Sequence, residues 1–303
     1  RILHAQAQLG RMKRIMVTGG NKGVGFGICK VLLDRGVFVL LGSRDAARGE
    51  EAVKNLLSEN KEFEGRIQML QIDVGEEESV KKAAAEVSSK FGATPLDVII
   101  NNAGVGSAAL GGKAMMYTNV VGIKSVCDAF IPLLNSTGRI VNVTSASGPM
   151  FVSKCSEARK NFFRNPNVTW EEIQGVMNEL LTIDHAEMEN AGFGDWSKEP
   201  SFYGSSKALA NNLTMLLAKT YPQFKINACT PGFIETDMTR TYLQKTGKTA
   251  AELGMKSPLE GALAPVKLAL DELEGNAYFY GSDGVRSPLD AYRSPGDPPY
   301  TGP

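Results

Sequence analysis

From Arg14 onward the chain alternates short apolar, β-branched runs with stretches of helical period, and this alternation restricts the possible folds more than any other feature. The runs are "RIMVT", "VFVLLGS", "RIQMLQI", "DVIIN", "RIVNVTS", "FKINACT" and "NAYFY". Helical periodicity fills the intervals, at about 23–35, 46–59, 76–90, 116–135, 203–220 and 258–273. Runs that are apolar throughout belong to strands buried on both faces, and strands separated by helices pair in parallel. The pattern predicts an α/β chain: a single doubly wound parallel sheet of about seven strands, with helices on both faces. The βαβαβα order from the first core residue is an arrangement suited to dinucleotides. "SPLE" at Ser257–Glu260 supports one helix start, with Ser as N-cap, Pro first and Glu third.

Composition excludes several classes. The 33 basic and 33 acidic residues cancel, so net charge points to no polyanion such as nucleic acid. Apolar runs such as Phe38–Leu41 and Ile131–Leu134 are far too short to span a bilayer. Four scattered cysteines and two histidines offer no metal-ligand spacing, and the reading is no metal and reduced thiols in a cytoplasmic protein. Residues 1–13 are basic and acid-free, as in a transit-peptide remnant, which would make the location organellar; a leader fits equally, and neither is built upon. The core is expected over 14–285 as one domain, and 286–303, dense in Pro and Gly, as an extended tail.

The first strand-to-helix turn, "VTGGNKGVGFG", would let backbone amides approach a pyrophosphate at a helix N-terminus. G-x-G-x-x-G fits it in no register; Thr18-Gly19-x-x-x-Gly23-x-Gly25 does. Farther along, Tyr203 and Lys207 stand four residues apart in a helical stretch, which stacks phenol and ammonium on one face.

These motifs, with "NNAG" at 101–104, "TN" at 118–119, "VNVTS" ending at Ser145 and "PGFIETDM" from Pro231, occur in an order that resembles the short-chain dehydrogenase/reductase family. The likeness is to its carbonyl reductase branch, spans nearly the whole core and implies a Rossmann-type sheet. It implies Asn119, Ser145, Tyr203 and Lys207 as catalytic residues. Tyr203 would protonate a carbonyl oxygen as hydride arrives, and Ser145 would stabilise charge on that oxygen. Lys207 would lower the Tyr203 pKa and hold ribose hydroxyls. Asn119 would steady a water in the relay. Gly19, Asn21, Lys22, Gly23, Val24 and Gly25 would hold the cofactor phosphates. Asp73 and Val74 would line the adenine, with Asp73 as a plain cap the competing reading. Asn101, Ala103 and Gly104 would lie against the cofactor, and Pro231, Gly232, Ile234 and Thr236 would hold the nicotinamide amide. Arg44 after the second strand and Lys22 in the glycine loop favour the 2′-phosphate of NADPH/NADP+, with Arg48 a further candidate. Asp45 reads as the N-cap of "DAARGEEAV".

The implied activity is NADPH-dependent reduction of an aldehyde, ketone or quinone, a small-molecule substrate. The alternatives are an alcohol or hydroxysteroid dehydrogenase running in the oxidative direction, and a non-catalytic NADPH-binding redox sensor. Ser145 and Tyr203 are 58 residues apart, so an insertion at about 148–200 is expected. Within it Thr169 and Glu172 form a capping box, followed by the stripe Ile173, Val176, Met177, Leu180 and Leu181. The resemblance implies that this helix covers a surface otherwise used for oligomerisation, leaving a monomer, with Met150, Phe151, Phe193 and Trp196 as pocket-wall candidates; the competing reading is that the stripe is itself a dimer interface.

Overall fold

The computed structural model describes residues 12–106, 110–196, 202–273 and 275–302. The first seven strands are β1 (Arg14–Val17), β2 (Phe38–Ser43), β3 (Ile67–Gln71), β4 (Leu96–Asn101), β5 (Leu134–Val143), β6 (Lys225–Cys229) and β7 (Phe279–Tyr280). They pair in parallel, and β8 (Arg286–Ser287) adds an antiparallel edge, giving the order β3-β2-β1-β4-β5-β6-β7-β8. The order reverses between β1 and β4, and such a reversal opens a crevice at the carboxyl ends of the strands.

Strand alternation divides the core in two. Ile15, Val17, Val39, Leu41, Val98 and Ile100 face α1 (Gly23–Asp34), α2 (Ala46–Glu59) and α11 (Pro258–Leu270). Met16, Leu40, Ile99 and Ile140 face the other way, toward α3 (Glu77–Phe91), α5 (Gly122–Phe130) and α9 (Phe202–Thr220). Between β4 and α5 the chain forms α4 (Gly111–Met116) and one widened π turn, Tyr117–Val121. Both capping boxes occur as expected, at Ser257–Glu260 and Thr169–Glu172.

The insertion folds as α6 (Ser147–Ser153), α7 (Glu157–Phe163) and α8 (Trp170–Thr182). Ile173, Val176, Met177 and Leu180 are buried in the same cluster as Leu209, Leu213 and Leu217 of α9, so the stripe is covered within the chain. Phe151 and Phe193 are corrections: both are fully buried. Phe151 meets Phe163 edge-on and stacks on half-buried Trp196, whose indole N–H donates to the Phe193 carbonyl at 2.9 Å. These rings are the insertion's own core, and only Met150 stays exposed.

Both domain edges differ from expectation. Of the leader, residues 1–11 lie outside the described residues; the Lys13 carbonyl accepts from Phe38 N–H at 2.8 Å and so joins the sheet. The C-terminal segment is tied down rather than trailing. Arg286–Ser287 is a strand, and the buried Arg293 side chain donates to the Ser294 and Asp297 carbonyls and pairs with Asp283. A buried guanidinium needs such partners, and they fix the loop around it.

Candidate active site

The chemistry converges where β5 ends and α9 begins. Thr144 N–H donates to the Cys229 carbonyl at 2.8 Å, which keeps the chain beside β6 until Ser145. There it turns into α6, with the Ser145 hydroxyl accepting from Ser147 N–H at 3.1 Å. On α9, Tyr203 and Lys207 sit one turn apart on the face toward the strand ends. The Ser145 side chain lies near enough to the Tyr203 hydroxyl to act on its proton affinity. The Lys207 ammonium donates to the Val143 carbonyl at 3.2 Å and lies 5.7 Å from the Tyr203 ring centroid. The structure thus brings Ser145, Tyr203 and Lys207 together, as expected.

The electrostatics differ from expectation. Burial pushes the Tyr203 phenol above its ordinary value of 10, and Ser145 acts in the opposing direction. Only 3% exposed and bonded to a neutral carbonyl, the Lys207 ammonium is itself brought down to about 8 by burial. Tyr203 is therefore held protonated at neutral pH.

Asn119 lies at the centre of the widened turn, and its side chain acts as a clamp. Its amide donates to the Val105 carbonyl and to the Ser206 hydroxyl, each at 2.9 Å, and its oxygen accepts from Val105 N–H at 2.9 Å. Ser206 in turn donates to the Tyr203 carbonyl at 2.8 Å. The side chain ties the loop after β4 to the first turn of α9 and is committed to these partners. Any contact with a relay water falls to its backbone, in the one turn where the ordinary i to i−4 bonding is interrupted.

The glycine turn fits a nucleotide. No side chain caps the N-terminus of α1, whose amides face the crevice. At Gly25 a Cβ would stand 2.1 Å from the Gly19 carbonyl oxygen, so the turn closes this tightly only without one. At Gly104 a Cβ would lie 3.0 Å from Asn119 Oδ1 and 3.2 Å from Lys207 Nζ, so the glycine leaves room for both side chains to pack against this turn. Ala103 packs under Gly19. Arg44, Arg48 and Lys22 are exposed at the same end of the sheet. Asp45 is the N-cap of α2, accepting from Arg48 N–H at 3.0 Å.

Three adenine-side and strand-end residues sit differently from the expectation. The Asn101 side chain points into the core, donating to Asn142 Oδ1 at 2.9 Å, so only its main chain reaches the crevice. Val74 is likewise buried. Asp73 accepts from Gly75 N–H at 3.0 Å, the local cap that was the competing reading. The residue that reasoning from sequence missed is Asn102, whose amide donates to the Thr18 and Gly19 carbonyls at 3.0 and 3.1 Å. Thr18 completes the brace, its hydroxyl accepting from the Asn102 and Ala103 amides at 3.0 Å. Alternation along "IINN" was the available signal: consecutive asparagines must face opposite ways.

Pro231 and Gly232 leave β6 beside the crevice, Ile234 is buried, and Thr236 caps α10 (Asp237–Thr246). Thr236 abuts the glycine turn, since a Cβ on Gly23 would lie 3.2 Å from its Cγ2. Met238 closes in from the other side: a Cβ on Gly106 would lie 2.9 Å from its sulfur and 3.2 Å from the Tyr203 ring. Phe233, Met238 and Tyr242 are exposed here and give the mouth an apolar wall. A recess of about 500 Å3 lined by Arg139, Lys225 and Glu272 lies at the opposite end of the sheet, away from this chemistry. Among the described residues no group of His, Cys, Asp and Glu is placed to hold a metal, and no helix is long and apolar enough to cross a membrane.

Residues 13–157 match the family model described as short chain dehydrogenase. The chain is 36% identical over 278 residues to (+)-neomenthol dehydrogenase of Arabidopsis thaliana, a match covering 82% of this chain and 91% of that protein. It belongs to the short-chain dehydrogenase/reductase family. Carbonyl reductase (NADPH) 1 of Rattus norvegicus is 32% identical over 272 residues, covering 84% of this chain and 90% of its own. These matches place the chain in the carbonyl-reductase-like branch. The solved structure of salutaridine reductase from Papaver somniferum superposes with a TM-score of 0.72 at 29% identity, over 88% of this chain and 99% of that one.

Proposed function

We propose that this chain reduces the carbonyl of a small aldehyde, ketone or quinone to an alcohol, with NADPH as cofactor. Relatives named as reductases and dehydrogenases, one of them for NADPH, support the reaction class. The observation that carries the reading is the convergence of Ser145, Tyr203 and Lys207 beside an uncapped helix N-terminus. The glycine turn would hold NADPH, Arg44 and Lys22 would receive its 2′-phosphate, and the bound cofactor would supply the hydride. Ser145 donates to the substrate oxygen and stabilises the charge that develops there. Tyr203 gives that oxygen its phenolic proton. Lys207, at a pKa of about 8, is suited to pass a proton back to the phenolate. Arg44 and Lys22, which suit the 2′-phosphate of NADPH, favour reduction over oxidation.

Tyr203→Phe tests the assignment. It keeps the ring and loses the proton donor, so kcat should fall by about 10²–10⁴ while NADPH affinity stays within about twofold. A variant that keeps most of its kcat would falsify the role. We also infer a monomer, because the apolar stripe of α8 is covered by α9 of the same chain.

A further inference from the structure

Asp237, the first residue of α10, is an acid in a rim that also carries Lys22, Arg44, Arg48 and Asp45. Its carboxylate pairs with Lys22 of the glycine turn at 2.9 Å and, through its other oxygen, with Arg240 one turn on. The first contact joins residues 215 apart in sequence and straddles the crevice. Arg48, from the start of α2, adds to the field that holds this carboxyl below the ordinary carboxylate value. Lys22 and Arg240 thus pair with one anion from two elements, while Arg48, paired with Asp45 at 3.8 Å, acts on it only at longer range. Lys22 and Arg48 are among the residues the family resemblance offers for a 2′-phosphate, and Arg240 belongs to the segment that follows β6.

We propose that Asp237 determines cofactor selectivity as an internal competitor: its carboxylate occupies Lys22 and Arg240, the cations that a 2′-phosphate would otherwise draw on, and so limits the preference for NADPH over NADH. The proposal rests on the NADPH reading above. A phosphate dianion entering this rim must take Lys22 from Asp237 and then sit near an uncompensated carboxylate. Both effects act on the 2′-phosphate and not on the ribose hydroxyl that replaces it in NADH. Both are also screened by salt, because the pair is exposed. Arg240 is in the same reading a phosphate-side residue, freed to turn toward the nucleotide once Asp237 is neutral.

Calorimetric titration of the full chain with adenosine 2′,5′-bisphosphate and with adenosine 5′-monophosphate tests this without turnover. Asp237→Asn should bind the bisphosphate about two- to fivefold more tightly, the range of one exposed ion pair, and the monophosphate within about 1.5-fold. The gain should be lost in 1 M KCl, where the screening length is about 3 Å. It should also shrink in the Lys22→Met background, which keeps the variant informative even if α10 shifts. Equal tightening of both ligands would place the pair at a part of the nucleotide that the two share, and would overturn the assignment. No change, or weaker binding of the bisphosphate, would do the same. If the unaltered protein shows no preference for the bisphosphate, the NADPH reading itself fails, and this result is distinct from the others.

Discussion

Lys207→Met should make the protein more stable at pH 7 while removing most of its activity. The ammonium of Lys207 is almost wholly buried, and its pKa falls from 10.5 to about 8. At about 1.4 kcal/mol per tenfold change in proton affinity, the charged form costs on the order of 3 kcal/mol relative to the unfolded chain. The sign follows from proton counting. The unfolded chain binds the proton more tightly, so this cost is fully present below about pH 8 and disappears as pH rises toward 10.5. Methionine avoids the cost and fills a similar volume, but it forfeits the charge-assisted hydrogen bond to the Val143 carbonyl, worth about 1.5–2 kcal/mol. A net gain of roughly 1–1.5 kcal/mol remains at pH 7. For a chain of 303 residues, at about 2.1 cal/mol/K per residue, that raises Tm by about 2 °C. Paired thermal unfolding of both proteins at pH 7 and pH 10, followed by circular dichroism, should show the advantage at pH 7 and its loss at pH 10. A variant less stable at pH 7, or an advantage unchanged between the two pH values, would refute the claim that Lys207 is held at a cost to the fold.

Arg44→Ala should weaken NADPH binding by about 10- to 100-fold and NADH by less than about twofold, because a charge-assisted contact to the 2′-phosphate is lost; equal losses, read by nucleotide fluorescence titration, would make Arg44 structural only. Light scattering on the purified protein should give a mass near 32.6 kDa, and twice that value would show that a surface other than the covered α8 stripe pairs two copies.

What the sequence made legible follows from how local each determinant is. The alternation of strands and helices, the caps at Thr169, Ser257 and Asp45, and the helical spacing of Tyr203 and Lys207 are set by neighbours within a turn or two, and each recurs in the structure. Placement of the glycine turn followed from its position after β1. The details that were not legible all depend on partners distant in sequence. Lys22 meets Asp237 across 215 residues, and Asn119 meets Ser206 across 87. No pattern at Arg293 announces that its guanidinium will be buried against Asp283.

The catalytic pair shows why a correct contact can still carry the wrong energetic sign. Helical spacing puts Lys207 beside Tyr203, and charge proximity alone would lower the phenol's pKa. Yet the burial that brings the two together also desolvates both. Desolvation disfavours the charged form of each group, so it raises the phenol and lowers the ammonium. Which effect wins depends on where the ammonium points. In this fold it is aimed at the Val143 carbonyl, which carries no charge to neutralise it. The pair therefore holds the proton on Tyr203 beside a lysine brought down to about 8, which fits the proposed roles of giving a proton and recovering it once per turnover.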